Sequence, residues 1–257
     1  MSEKNREEKR TAREKLAVER EKHKRAEKRR RALIVGSAVV GVLALAAVVG
    51  VIAASAGKDD GSEASGPAVA PSGAQGKDAL AIPVGKEGAK STLTVWEDFR
   101  CPACKGFEQA YRSTIHELTG AGQLKVEYHL ATIIDGNMGG SGSRTAANAA
   151  ACAQDAGKFT AYHDVLYDNQ PAETDDAFAE NDKLIELAGK VEGLDTPEFR
   201  RCVTEGTHDS WVDKSDSAFQ KGDFQGTPTV LLDGKSIYGD RTMTPEKLKQ
   251  MVREANA

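Results

Sequence analysis

The stretch Trp96-Glu97-Asp98-Phe99-Arg100-Cys101-Pro102-Ala103-Cys104 sets two cysteines three positions apart where one hydrophobic period gives way to another. Upstream, Leu93, Val95 and Phe99 alternate as in a strand. Downstream, Phe107, Tyr111, Ile115 and Leu118 fall on one face of a helix that begins at Pro102. Cys101 then stands at the helix start, where unpaired backbone N–H groups and the helix dipole stabilise a thiolate. Pro102 presets helical φ and wastes no N–H. Cys104 lies one turn inward, placed to attack a mixed disulfide formed by Cys101. The reactive group is therefore a Cys101–Cys104 disulfide, and no other cofactor is called for. A zinc half-site is the rival reading of C-x-x-C, but a full site needs two more ligands. Cys152 and Cys202 are 50 residues apart, with no second C-x-x-C and no H-x-H. His116, His129, His163 and His208 are scattered and read as surface or satisfied core residues, so no metal is expected.

Working outward, Val126, Tyr128 and Leu130 alternate as a second strand. A Gly/Ser-rich loop, 136–143, leads into helical stretches at 144–156, 158–169, 177–190, 197–205 and 208–221. Strands at 229–233 and 236–238 follow, joined by an Asp233-Gly234 turn. A last helix starts at Thr244-Pro245-Glu246 and buries Leu248, Met251 and Val252. The order β-α-β, helical block, β-β-α predicts an α/β domain with a mixed central sheet flanked by helices, and a helical insertion at about 142–222. The two Trp, five Tyr and seven Phe all lie between Trp96 and Tyr238, so the core belongs to a domain spanning 80–257.

The N-terminal third reads differently. Residues 1–31 carry 14 Lys or Arg against 7 Asp or Glu, and residues 32–57 carry no charge. With an overall charge of −4, the remainder sums to −11. A basic head and an acidic body about an apolar span point to a membrane crossing and away from nucleic acid. As a helix, 32–56 reaches roughly 37 Å, enough for a ~30 Å hydrocarbon core. Arg29-Arg30-Arg31 at its leading end places the tail in the cytoplasm and the domain outside the cell membrane, as a single-pass protein. Ala54-Ser55-Ala56 has the form of a cleavage site, but the apolar run far exceeds a signal peptide's usual 7 to 15 residues, which favours an uncleaved anchor. The basic tail either touches anionic lipid or is simply solvated. Residues 57–79, rich in Gly, Ser, Ala and Pro, have the composition of a flexible linker.

The 96–104 segment resembles the strand-to-active-site segment of DsbA-like oxidoreductases of the thioredoxin superfamily, whose motif is C-P-x-C. Gly226-Thr227-Pro228-Thr229-Val230 resembles their second hallmark, a cis-proline loop entering the hairpin. The helical block is similar to their inserted domain. The resemblance implies a thioredoxin-like fold and a cis Pro228 beside Cys101 and Cys104. It also implies a substrate peptide that pairs with the Thr227 backbone and passes Pro102 and Ala103. The family's best-known member has His where this chain has Ala103, so a very strong oxidant is not implied. Glu97 and Asp98 either relay a proton to or from Cys104 or are solvated strand-end charges. Cys152 and Cys202 remain as a structural disulfide, with two unpaired buried thiols as the alternative.

The expected activity is disulfide formation in exported proteins, with recharging by a membrane redox partner of the DsbB or VKOR type. The rivals are a reductase or isomerase of exported thiols, and a non-catalytic tethered module that binds unfolded exported chains.

Overall fold

The computed structural model describes residues 68–256. The expected basic tail, the apolar span and the first part of the linker lie outside the described residues. Among the described residues, no helix is long and apolar enough to cross a membrane.

The chain runs through β1 (Ile82–Gly85), β2 (Ser91–Glu97), α1 (Pro102–Gly120) and β3 (Leu124–Leu130). It continues through α2 (Ile133–Met138), α3 (Gly142–Asp155), α4 (Phe159–Asp168), α5 (Asn181–Ala188), α6 (Pro197–Glu205) and α7 (Asp209–Lys221). It closes with β4 (Thr229–Leu232), β5 (Lys235–Ser236) and α8 (Pro245–Asn256). The strand order is β1-β3-β2-β4-β5. The crossover through α1 makes β2 and β3 parallel, in register Val95 to Tyr128, while β1, β4 and β5 join antiparallel. This is a thioredoxin-like mixed sheet, with α2 to α7 inserted between β3 and β4.

The alternation in β3 buries Leu124, Val126, Tyr128 and Leu130 on one face. Leu93 and Val95 of β2 join them, under Ile115 and Leu118 of α1 and Leu248 and Val252 of α8. Trp96 turns to the other face and packs on Phe219 of α7. Within the insertion α3 is an alanine helix. Ala146, Ala147, Ala149, Ala150, Ala151 and Ala153 are all buried, and small side chains let other helices approach it closely.

Several boundaries differ from those read in the sequence. The end of the expected linker packs on the insertion: Ser72 N donates to Asp155 (2.7 Å), Trp211 Nε1 to Ala79 O (2.7 Å), and His208 Nδ1 lies 2.8 Å from Val69 O. Composition describes what these residues are and not what their backbone meets. β1 went unread because it is four residues long and contains Pro83, which an edge strand tolerates. Phe99 is outside β2, which ends at Glu97. The expected 177–190 helix is a single turn at Ala177–Ala179 and then α5, broken at Glu180, whose backbone is extended. The 136–143 loop overlaps α2, and Met251 is only half-buried.

Cys152 on α3 and Cys202 on α6 are joined by a disulfide across a sequence separation of 50. A loop of that size stabilises by about 4 kcal/mol in the chain-entropy picture. Replacing both cysteines by alanine should lower unfolding free energy by about 3–4 kcal/mol in a denaturant titration of the oxidised protein. An unchanged midpoint would show that helix packing alone holds the insertion.

Candidate active site

Between β2 and α1 the chain makes a tight turn held by hydrogen bonds from several directions. The Asp98 carboxylate accepts from Arg100 N (2.8 Å) and Ile134 N (2.9 Å), and Asp98 O accepts from Cys101 N (3.0 Å). Gln170, just beyond α4, donates to both Phe99 O (2.9 Å) and Cys101 O (3.0 Å). The Arg100 side chain is buried against Asp135 (2.6 Å) and Asp176 (2.8 Å), and it also donates to Gly139 O and Glu173 O. Cys101 is the N-cap of α1 and Pro102 its first residue.

The two thiols are free and their surroundings are opposite. Cys101 keeps 5% of its surface exposed; Cys104 keeps 1%. The Cys101 thiol lies 3.3 Å from Thr227 O, and the Thr227–Pro228 peptide is cis. The Cys101 pKa falls to about 6: a hydrogen bond from the Cys104 thiol outweighs burial, helped by Thr227 and by the Cys104 and Ala103 backbone N–H groups. The Thr227 hydroxyl, buried with no partner, is available as a donor once the thiolate forms. Cys104 is pushed well above its usual range by burial, and further by its neighbour Cys101. The pair is thus one stabilised thiolate beside one reluctant thiol.

Two shallow grooves share Tyr238, which is 46% exposed. One, of about 320 Å³, runs past Ala103, Phe107, Tyr111 and Met243. The other, of about 550 Å³, runs past Phe224, Thr227, Pro228 and Leu231. An extended peptide reaching Cys101 has apolar surface on both sides.

Glu97 and Asp98 are not solvated strand-end charges; they are 1% and 0% exposed. The structure separates their chemistry. Both Asp98 oxygens are taken by backbone N–H groups, and burial raises its pKa to about 7. Glu97 Oε1 pairs with His163 Nε2 of α4 at 2.9 Å, while Oε2 is buried with no partner. Beside them is Glu108, also 1% exposed, with Oε1 unpartnered and its pKa raised to about 7 by burial. Burial alone would lower the pKa of His163, but the Glu97 and Glu108 carboxylates lift it to about 10. Sequence reading gave no role to Glu108, Arg100 or Gln170, and read His163 only as a surface or satisfied core residue; it is a buried one, paired with Glu97. Glu108 had a signal: it lies four residues beyond Cys104, on the same inward face of α1. His163 had none, because its partner is 66 residues away.

The family model described as "Thioredoxin" matches residues 78–254. Disulfide bond formation protein D of Bacillus subtilis is 27% identical over 157 residues, 60% of this chain and 68% of that protein. Among solved structures, the reduced disulfide oxidoreductase DsbG of Mycobacterium tuberculosis aligns with a TM-score of 0.60 and 28% identity, over 69% of this chain and 88% of that one. Reduced DsbA of the same organism gives 0.60 and 27%, over 69% and 93%. With these relatives, a C-P-x-C pair of free thiols at a helix start and a cis-proline loop against the outer sulfur, the chain belongs to the thioredoxin family as a DsbA-like protein disulfide oxidoreductase.

Proposed function

We propose that this oxidoreductase forms disulfides in exported proteins, tethered outside the cell membrane by the apolar span at 32–56. The asymmetry of the two thiols carries the direction. A Cys101 pKa near 6 stabilises the dithiol form and makes Cys101 a good leaving group, so the oxidised enzyme gives its disulfide away. A substrate thiolate attacks Cys101 Sγ and the Cys101–Cys104 bond breaks. Cys104 leaves as a thiolate and takes up a proton. A second substrate thiolate then attacks the substrate sulfur of the mixed disulfide, releasing Cys101 as thiolate and the substrate disulfide. Thr227 would pair with the substrate backbone, with Pro102, Ala103 and Pro228 walling the approach, and Glu97 would exchange the proton of Cys104. No cofactor beyond the redox disulfide is invoked. The two electrons gained per cycle would pass to a membrane partner of the DsbB or VKOR type. Equilibration with glutathione tests the direction: a reduction potential above about −200 mV supports an oxidase, and one near −270 mV would make the protein a reductase.

In Cys104→Ala, Cys101 should attack disulfides of substrate chains, displace one substrate sulfur as thiolate, and accumulate as reductant-sensitive mixed disulfides that no Cys104 can resolve. Cys101→Ala should give none, because Cys104 is buried. Equal adducts from both variants would make the thiols interchangeable. Thr227→Val keeps the shape but removes a donor to the thiolate. It should move the Cys101 pKa up from about 6, read by pH-dependent alkylation, and make the enzyme less oxidising.

A folded-state pKa depressed from 9.0 to about 6 stabilises the dithiol form fully above pH 9, and the effect is lost as pH falls through 6. The melting temperature of the reduced protein should therefore exceed that of Cys101→Ser by a margin that grows from pH 6 to pH 9. A constant margin would show that the thiolate is not stabilised by the fold.

A further inference from the structure

The acids and the lysines of α7 are sorted onto different sides of the helix. Asp209 and Asp213 are both taken by Arg144 at 2.6 Å, and Asp216 accepts from Thr132 N at 2.8 Å. Ser210, Lys214, Ser217 and Lys221 follow one another at helical spacing and form a stripe of their own. Lys214 and Lys221 are exposed, as is Lys77 in the turn before β1. These three lysines rim a groove of about 450 Å³ whose apolar lining includes Leu80, Trp96 and Phe224. One acid shares the rim, Asp78, 3.9 Å from Lys214. His129 also lines the groove, but burial lowers its pKa to about 4, so the ring adds no charge. Asp223 lines the neighbouring groove instead. Among the described residues, Lys77 and Lys221 form no ion pair. A cationic rim thus stands out on an acidic body, since residues 58–257 carry a net charge of −11.

The position of this rim on the domain is as informative as its charge. Val69 N donates to Ser210 Oγ (3.5 Å), at the leading end of the lysine stripe, and Trp211 Nε1 donates to Ala79 O (2.7 Å). The segment 69–79 therefore enters the domain beside the stripe and ends on the groove. Only residues 57–68 separate Val69 from the apolar span at 32–56, a length of at most roughly 45 Å when fully extended. At its far end the groove meets the one that runs past Thr227 and Pro228, because Phe224 lines both.

We propose that the rim of Lys77, Lys214 and Lys221 is a docking surface for the anionic phospholipid headgroups of the membrane that holds the span. The proposal rests on the tethered reading above and extends it from a tether to an orientation of the catalytic domain. Each lysine near an anionic surface strengthens the contact about fivefold. The acidic remainder of the domain is repelled by the same surface, so this face is the one that turns toward it. The rings of Trp96 and Phe224 suit the headgroup boundary, where aromatic and apolar side chains lie beneath a cationic rim. Docking in this way sets the cis-proline groove along the membrane, where exported chains emerge.

The test reconstitutes the full chain into vesicles of phosphatidylcholine alone, or of phosphatidylcholine mixed with phosphatidylglycerol. Acetylation of each lysine by a water-soluble reagent is then followed by mass spectrometry. Lys77, Lys214 and Lys221 should react at least about fivefold more slowly on the anionic vesicles. That protection should vanish in 1 M salt, where the Debye length is about 3 Å. Lys190 and Lys247, exposed elsewhere on the domain, should keep one rate throughout. Lys214→Glu combined with Lys221→Glu alters only exposed side chains and should return Lys77 to its rate on the zwitterionic vesicles. Equal rates on both vesicles, in a chain that alkaline carbonate does not extract, overturn the docking surface and leave the anchor intact. Protection of Lys77 that survives the double substitution also overturns it. Protection that appears in detergent and grows with protein concentration assigns the face to a second copy of the chain, and overturns it too. A chain that alkaline carbonate strips from both vesicles defeats the anchor reading itself.

Discussion

The guanidinium of Arg100, buried one residue before the nucleophile, is the constraint on which the site and the insertion both depend. It joins Asp135 of α2 to Asp176, just before the Ala177–Ala179 turn, at 2.6 and 2.8 Å. Each acid then uses its other bonds to cap α3: Asp135 accepts from Ser143 N and Arg144 N, and Asp176 from Ser141 N and Gly142 N. Gly142 has to be glycine here, since a Cβ would run into both the Asp176 carboxylate and Arg100. Breaking a buried pair of this kind costs about 3–5 kcal/mol, because a charge is left without a partner. The insertion is thereby fastened to the residue that precedes Cys101.

That fastening explains how two similar thiols become so different. Cys101 stays at a helix terminus only if the turn before it cannot relax, and the bonds of Asp98, Arg100 and Gln170 hold that turn. The Thr227 loop then meets the outer sulfur from the other side of the insertion in sequence, 126 residues away. A shift of one ångström at either support would cost the thiolate its donors, and with them its stability as a leaving group.

Beneath the cysteines the interior is unusually charged for a core. Glu97, Glu108 and His163 occupy a space lined by aromatic rings, where isolated charges are costly and the group with the easiest protonation change absorbs the strain. Glu108 and His163 are both displaced toward holding a proton, Glu108 by burial and His163 by its acidic neighbours. A redox centre whose buried sulfur changes charge each cycle has a use for such neighbours.

The sequence by itself determined what depends on local order. The period change across residues 93–118 gives strand, turn and helix, and with the C-P-x-C spacing places a thiolate at a helix start. The Thr227-Pro228 loop and the helical block were likewise readable, as contiguous motifs with a family likeness. Tertiary structure decided whatever depends on partners far apart in the chain. Composition made residues 68–79 look like linker, yet Asp155, His208 and Trp211 hold them. Glu97 and Asp98 stood as an undivided pair of acids until burial filled both oxygens of one and left an oxygen of the other open. His163 was one scattered histidine until folding set it 2.9 Å from Glu97. The reason is physical: backbone periodicity and helix-end chemistry act over a few residues, whereas desolvation and charge pairing exist only once the chain has closed around them.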